Sequence, residues 1–199
     1  MRIIAGTMRS RTIVAPKGTD TRPTLDRTRE SLFNIIAGDC PGARVLDLYA
    51  GSGALALESI SRGAHSAVVC DCSREAAKAI RQNIETLKLQ EEVRFLFMQD
   101  TQAIASLARE GEQFDLVFLD PPYRLSTDAA CAQMADAGIL MQDALVIIEH
   151  DVRVTPAPDA RYQLIDKRQY RDTVISFYQY GLKKTEDEHG GIVDLSGQL

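Results

Sequence analysis

No apolar run in the 199-residue chain approaches the ~20 residues that a membrane-spanning helix requires, so no membrane association is expected. The N-terminal stretch MRIIAGTMRSR lacks the apolar h-region of a secretory signal. Cysteine is scarce. Cys40, Cys70, Cys72 and Cys131 do not make a disulfide framework, and without an export signal they are expected to be reduced thiols in a cytoplasm. Histidine is scarcer: His65, His150 and His189 are scattered, and Cys70-x-Cys72 has no second Cys/His pair, so no metal is expected. Neither a G-x-x-x-x-G-K-[ST] phosphate loop nor a G-x-S-x-G nucleophile elbow occurs. What is present is ordinary globular material, 45% hydrophobic and 26% charged, which excludes disorder and low complexity for the bulk of the chain. A chain of this length makes one domain and buries enough surface to fold without a staple.

Charge is unevenly spread. Residues 1–29 hold seven basic side chains (Arg2, Arg9, Arg11, Lys17, Arg22, Arg27, Arg29) against Asp20 and Asp26, a net of +5. The whole chain carries -5, which leaves -10 for the other 170 residues. A basic segment on an acidic body suggests local contact with a polyanion; a solvated arm without a partner explains the count equally well.

The pattern divides the chain into a basic N-terminal arm (1–23) with short extended stretches, a folded unit (24–182) and a polar, glycine-containing tail (183–199) expected to be disordered. Thr24 is placed to cap a helix to about residue 37, with Leu25, Leu32, Phe33 and Ile36 near one face. From residue 43 strands and helices alternate. Strands are predicted at 45–49, 67–70, 93–97, 114–119 and 144–149, and helices at about 54–62, 74–87, 102–109 and 126–137. Strands joined through helices make a parallel sheet with helices on both faces. Two further strands, 162–166 and 173–180, have only a short connection and read as an antiparallel pair.

The residues that could carry chemistry sit at strand ends. Asp47-Leu48-Tyr49-Ala50-Gly51-Ser52-Gly53 closes the first strand. Its glycines let backbone approach a ligand closely, and a helix N-terminus follows. Gly51 to Ala56 fits G-x-G-x-x-A, the relaxed dinucleotide fingerprint, although a tight turn without a ligand has the same look. Asp71 stands 20 residues after Gly51, where an acid can accept from both hydroxyls of a ribose. Asp100 is placed to accept from an adenine amino group, with Thr101 capping the next helix; a helix-start acid favoured by the dipole is the plainer explanation. Asp120-Pro121-Pro122-Tyr123 follows the fourth strand. Its two prolines stiffen the loop. The Asp120 carboxylate and the Pro121 carbonyl can then hold the two hydrogens of a planar NH2 group, and Tyr123 can stack on the base that carries it. Asp-Pro and Pro-Pro are also ordinary turn signals, but the position at a strand end beside the cofactor crevice favours chemistry.

Together these stretches resemble a class I S-adenosylmethionine-dependent methyltransferase. Over about residues 2–180 the chain resembles the RsmD family, bacterial methyltransferases of guanine N2 in 16S ribosomal RNA. Arg2 to Gly6, Arg22 to Glu30 with Leu32-Phe33-Asn34, the Asp47–Gly53 turn and Asp120 to Tyr123 carry the resemblance. The 22–34 segment is the part most particular to this family. Tyr49 stands where the family usually has Phe, Ala56 where Gly is common, and Ser73 where an acid or amide often follows the ribose-binding carboxylate.

The resemblance implies a Rossmann-like seven-stranded, mostly parallel sheet with an antiparallel C-terminal pair. It implies S-adenosylmethionine held by Asp47, Ala50, Gly51, Ser52, Gly53, Asp71, Asp100 and Thr101, and catalysis by Asp120, Pro121, Pro122 and Tyr123. The partner implied is 16S rRNA, within a small-subunit particle, met by a cytoplasmic monomer; Arg2, Arg9, Arg11 and Lys17 are then candidates for phosphate contact. Methyl transfer needs alignment more than acid–base help, with Asp120 stabilising charge on the amine and receiving its proton. Adenine-N6 and glutamine-N5 methyltransferases use the same kind of loop and remain open on the residues alone. A nicotinamide dehydrogenase would leave residues 120–123 unexplained. A non-catalytic RNA-binding protein would have no need of an intact Asp120.

Overall fold

A computed structural model describes residues 1–16, 23–121 and 126–181. The elements run α1 (Pro23–Ile35), β1 (Arg44–Asp47), α2 (Ala54–Ser61), β2 (Ser66–Cys70), α3 (Arg74–Leu87), β3 (Val93–Leu96), α4 (Asp100–Arg109), β4 (Phe114–Leu119), α5 (Asp128–Asp136), β5 (Leu140–Asp151), β6 (Tyr162–Tyr170) and β7 (Thr173–Tyr180). All seven strands join one sheet in the order β3-β2-β1-β4-β5-β7-β6. The first five are parallel, and β7 runs antiparallel to both β5 and β6. This is the mostly parallel sheet with an antiparallel final pair that the sequence predicts.

Two-residue alternation lets each strand feed two cores. Val45, Val69, Leu116, Phe118, Leu145, Ile147, Ile175 and Phe177 pack on one face with Leu32, Phe33 and Ile36 of the α1 region, α2 and α3. Leu46, Val68, Cys70, Val117, Leu119, Val146, Ile148 and Tyr178 pack on the other with α4 and α5. A strand buried on both sides has to be almost continuously apolar, which is why Val146-Ile147-Ile148 reads as it does.

Several ends differ from the sequence expectation, for identifiable reasons. Helix α1 begins at Pro23 rather than after a Thr24 cap; proline suits a first helical position, where its missing N–H has no intrahelical partner. Helix α4 begins at Asp100, and Gln99 with Gln102, not Thr101, forms the cap by exchanging side-chain and backbone hydrogen bonds. Strand β5 reaches back to Leu140 across an irregularity where Asp143 adopts φ 65. Strand β6 continues to Tyr170 through Asp166, Lys167, Arg168 and Gln169, which carry no apolar alternation. Pairing with β7 holds that stretch straight, and its charges protect the sheet edge. Ser73 caps α3, accepting from the Ala76 N–H, and Ala76, Ala77, Ile80, Ile84 and Leu87 are buried along one side of the helix.

Residues 1–16 lie against this body. Ile3 and Ile13 are fully buried, and one antiparallel bridge joins Arg2 to Thr12. The buried Glu58 of α2 accepts from the Ile4 and Ala5 N–H groups and from Arg62. Gly6 follows with φ +82; a Cβ there would stand 1.7 Å from the Ser61 carbonyl oxygen, so only glycine lets the segment come this close. The tail beyond residue 181 lies outside the described residues.

Candidate active site

The chain adds β2 and β3 on one side of β1, then returns to place β4 on the other. Sheets of this kind bind ligands outside the carboxyl ends of the strands at such a reversal. Asp47 ends β1 and Asp120 follows β4. By alternation both fall on the α1 face, since Val45 and Phe118 do. Strand β5 adds a third carboxylate. Phe118 pairs with Ile147 and Leu119 with Ile148, so the next step of that register sets Asp120 beside Glu149.

These three carboxylates line one cavity of about 200 Å³. Its other walls include Tyr49, Ala50, Gly51, Ser52, Leu55, Ile175, Thr28 and Arg29, with Met1, Ala15 and Pro16 from the N-terminal segment. Asp47 is 1% exposed, and neither carboxylate oxygen has a hydrogen-bond partner among the described residues. Burial first, then the charges of Asp120 and Asp71, raise its carboxyl to about 8, against a weaker lowering from the nearby Ala56 and Tyr49 backbone, whose N–H groups are too poorly aligned to count as hydrogen bonds. Glu149 is raised to about 8 by burial and by Asp120. Asp120 opens to the crevice, while the protein around the rest of the group raises it to about 6. A carboxylate left buried and unpaired is costly, so without a ligand such a group favours its protonated form; a bound donor or cation would favour the charged form.

The glycine turn is built around the neighbouring acids. Gly51 and Gly53 take φ 56 and 77, and Gly53 is the residue before α2. A Cβ on Gly51 would meet no protein atom within 4 Å, so the backbone itself faces the opening. Asp71 accepts from the Gly51 N–H at 2.9 Å and from the Ser73 N–H at 2.8 Å, which locks the turn while leaving lone pairs for a ligand. The Tyr49 hydroxyl donates to Asp100 at 2.6 Å, a contact that Phe could not make. Asn83, buried in α3, donates to the Ser52 and Val14 carbonyls and accepts from the Val14 N–H. It thereby fastens the N-terminal segment to the turn.

The structure thus brings Asp47, Ala50, Gly51, Ser52 and Asp120 to one cavity and ties Asp71 and Asp100 to its rim. Thr101 follows Asp100 with its side chain exposed, and its N–H donates to Asp100. Pro121 is buried next to Asp120; Pro122 and Tyr123 lie outside the described residues, as does Lys17. Arg2 and Arg9 are exposed and share a depression with Arg27 and Glu30. Arg11 donates to the Thr86 carbonyl near the end of α3. The sequence reading missed Glu149, Thr28 and Arg29. Glu149 alone left a local signal, as a charged residue ending the apolar run of β5. Among the described residues no group of three His, Cys, Asp or Glu side chains is arranged to hold a metal ion, and no helix is long and apolar enough to cross a membrane.

The strand order, the final antiparallel pair and the glycine turn at the reversal define a class I methyltransferase fold. A family model described as "Conserved hypothetical protein 95" matches residues 1–179. The Bacillus subtilis protein named "Putative rRNA methyltransferase YlbH" is 34% identical over 182 residues, 90% of this chain and 98% of that one. Ribosomal RNA small subunit methyltransferase D of Escherichia coli K12 is 36% identical over 153 residues, 76% of this chain and 75% of that one. The solved Escherichia coli structure described as "Putative methyltransferase yhhF" superposes with a TM-score of 0.80 at 34% identity, covering 91% of this chain and 98% of the other. The chain belongs to this family, that of ribosomal RNA small subunit methyltransferase D.

Proposed function

We propose that the protein methylates the exocyclic N2 amine of a guanine in the 16S rRNA of the small ribosomal subunit, with S-adenosylmethionine as methyl donor. The observation that carries this reading is the carboxylate of Asp120 at the sheet reversal, opening into the cavity that also holds the buried, unpartnered Asp47. Family membership supplies the class of substrate, since relatives are named for ribosomal RNA of the small subunit.

The residues fit the cofactor. Asp47 would take its ammonium group and Arg29 its carboxylate, so that opposite charges meet the amino-acid end. Gly51 and Ser52 would offer backbone, Asp71 would accept from the ribose hydroxyls, and Asp100, held by Tyr49, would accept from the adenine amino group. When bound, S-adenosylmethionine supplies an electrophilic methyl group. Asp120 and the Pro121 carbonyl hold the acceptor amine, and Tyr123 stacks on its base. Holding the amine in place removes much of the entropic barrier. Asp120 stabilises positive charge developing on the nitrogen and takes the proton that it sheds. Thr101 would stand beside Asp100, steadying it through its N–H.

Residues 1–23 form the RNA-facing part of the enzyme, with Arg2 and Arg9 on the phosphate backbone together with Lys17, and Arg11 shared between RNA and the end of α3. The enzyme acts as a cytoplasmic monomer on a small-subunit particle, whose structure presents the target base unstacked. Incubation with tritiated S-adenosylmethionine and separated RNA, DNA, protein and small-subunit fractions tests the substrate class. Label should enter the RNA of the small-subunit fraction. Label confined to DNA or to protein would overturn the reading.

A further inference from the structure

Glu149 is the one carboxylate of the cavity that the reading above does not use. It ends the apolar run of β5 on the same face as Asp120, one register step beyond the Leu119–Ile148 pair. Neighbouring strands are about 4.8 Å apart, so the two side chains face the cavity as a pair. They line the cavity shared with Asp47 and also the small recess between Leu32, Phe118 and Ile175. The Glu149 carboxylate makes no hydrogen bond among the described residues, although it is only partly exposed and is flanked by Ile148 and the buried His150. His150 is occupied elsewhere, bonded to the Asp151 carbonyl and the Ser176 hydroxyl.

The geometry points to Glu149 as the residue that selects guanine, its carboxylate accepting the N1–H of the base whose N2 amine is held by Asp120. The inference rests on the reading of the protein as an amine methyltransferase of RNA. In their ionised forms the two carboxylates are acceptors only. They complement an edge with two adjacent donors, and among bases with an exocyclic amine only guanine offers that, N1–H beside N2–H. Adenine and cytosine put a ring acceptor next to the amine, which would meet the carboxylate acceptor to acceptor. Burial and Asp120 keep Glu149 protonated more readily than a surface acid, and a donor arriving at its oxygen favours the charged form. Guanine is the base that brings such a donor. A carboxylate pulling on N1–H also returns electron density to the N2 amine.

The test replaces the target guanine of a small-subunit rRNA substrate by 2-aminopurine, which keeps the amine but has a bare N1. Wild-type kcat/KM should favour guanine by about tenfold to a hundredfold, the range of one hydrogen bond to a charged group. In Glu149→Gln the amide can donate or accept, so the preference should fall to near unity; in Glu149→Ala it should fall likewise. Wild-type enzyme that methylates 2-aminopurine as fast as guanine overturns the inference without recourse to any variant. Variants that bind S-adenosylmethionine and keep the full preference overturn it too. Wild-type enzyme that methylates neither base, but methylates adenine or protein, overturns the functional reading itself.

Discussion

Asp47, Asp120 and Glu149 meet at the carboxyl end of the sheet, Asp47 buried, Glu149 half-buried and Asp120 open to the crevice, whereas Arg2, Arg9 and Arg27 are exposed around a second depression. The acids are placed by the sheet: Asp47 ends β1, Asp120 follows β4 and Glu149 lies two residues before the end of β5. Desolvation raises all three. Arg2 and Arg9 are carried by a segment anchored through Ile3, Ile13, Glu58 and Asn83 rather than through its own charges, and Arg27 by α1. Charge held out of water prescribes its ligand's atoms, while charge left in water supplies attraction without detail. The comparison assigns chemistry to the acids and affinity to the bases.

The sharpest way to break that assignment is Asp120→Ala. Methyl transfer should fall by about a hundredfold or more, the scale of losing a preorganised electrostatic group, while S-adenosylmethionine affinity is kept. Near-normal turnover would remove Asp120 from the mechanism. Asp47→Asn should separate binding from stability. Cofactor affinity should weaken by about 1–3 kcal/mol, read by calorimetry, while the ligand-free protein gains stability on the order of 1–3 kcal/mol near pH 8, read by denaturant unfolding. The sign follows from linkage. A carboxyl raised from 3.8 to about 8 by folding stabilises the fold fully below its unfolded pKa and loses that contribution as pH rises through its folded one. Stability of the ligand-free wild type should therefore decline between about pH 4 and pH 8, and Asp47→Asn should flatten the decline.

Gly6→Ala sharpens the comparison from the other side. A Cβ 1.7 Å from the Ser61 carbonyl must displace the N-terminal segment, at a cost of roughly 1–3 kcal/mol. Because Met1, Ala15 and Pro16 wall the cavity, cofactor affinity should drop with it. Equal affinity in a destabilised variant would show that the segment is not needed to hold the cofactor. The smallest effect belongs to Arg9→Glu with Arg11→Glu. RNA binding should weaken and its salt dependence flatten, with a shallower slope of log K against log salt, while cofactor affinity stays put. An unchanged slope would mean that the arginines serve the fold alone, as the Arg11 bond to Thr86 already does in part.

How far each region was legible in the sequence follows the same physics. Strands β1, β2, β4 and β5 announced themselves because burial on two faces demands largely apolar runs, β3 by its Val93, Phe95 and Leu96 despite the exposed Arg94, and Asp47, Gly51, Asp71 and Asp120 were noticed because strand ends and glycines are local signals. Glu149 was passed over because nothing local says that β5 lies next to β4. Thr28 and Arg29 were missed because the side of α1 that meets the cavity depends on how the helix docks. The full length of β6 was hidden by its polar residues, which are held extended by β7 rather than by a core. The Gln99 cap carries no residue type that usually marks a helix start.

The identity of the methylated nucleoside decides whether Asp120 holds a guanine amine. Small-subunit particles labelled by the enzyme with tritiated S-adenosylmethionine would be digested to nucleosides and separated, with wild type and Asp120→Ala side by side. The account predicts label in N2-methylguanosine with wild type and almost none with the variant. Label in N6-methyladenosine, or equal label from both proteins, would contradict it.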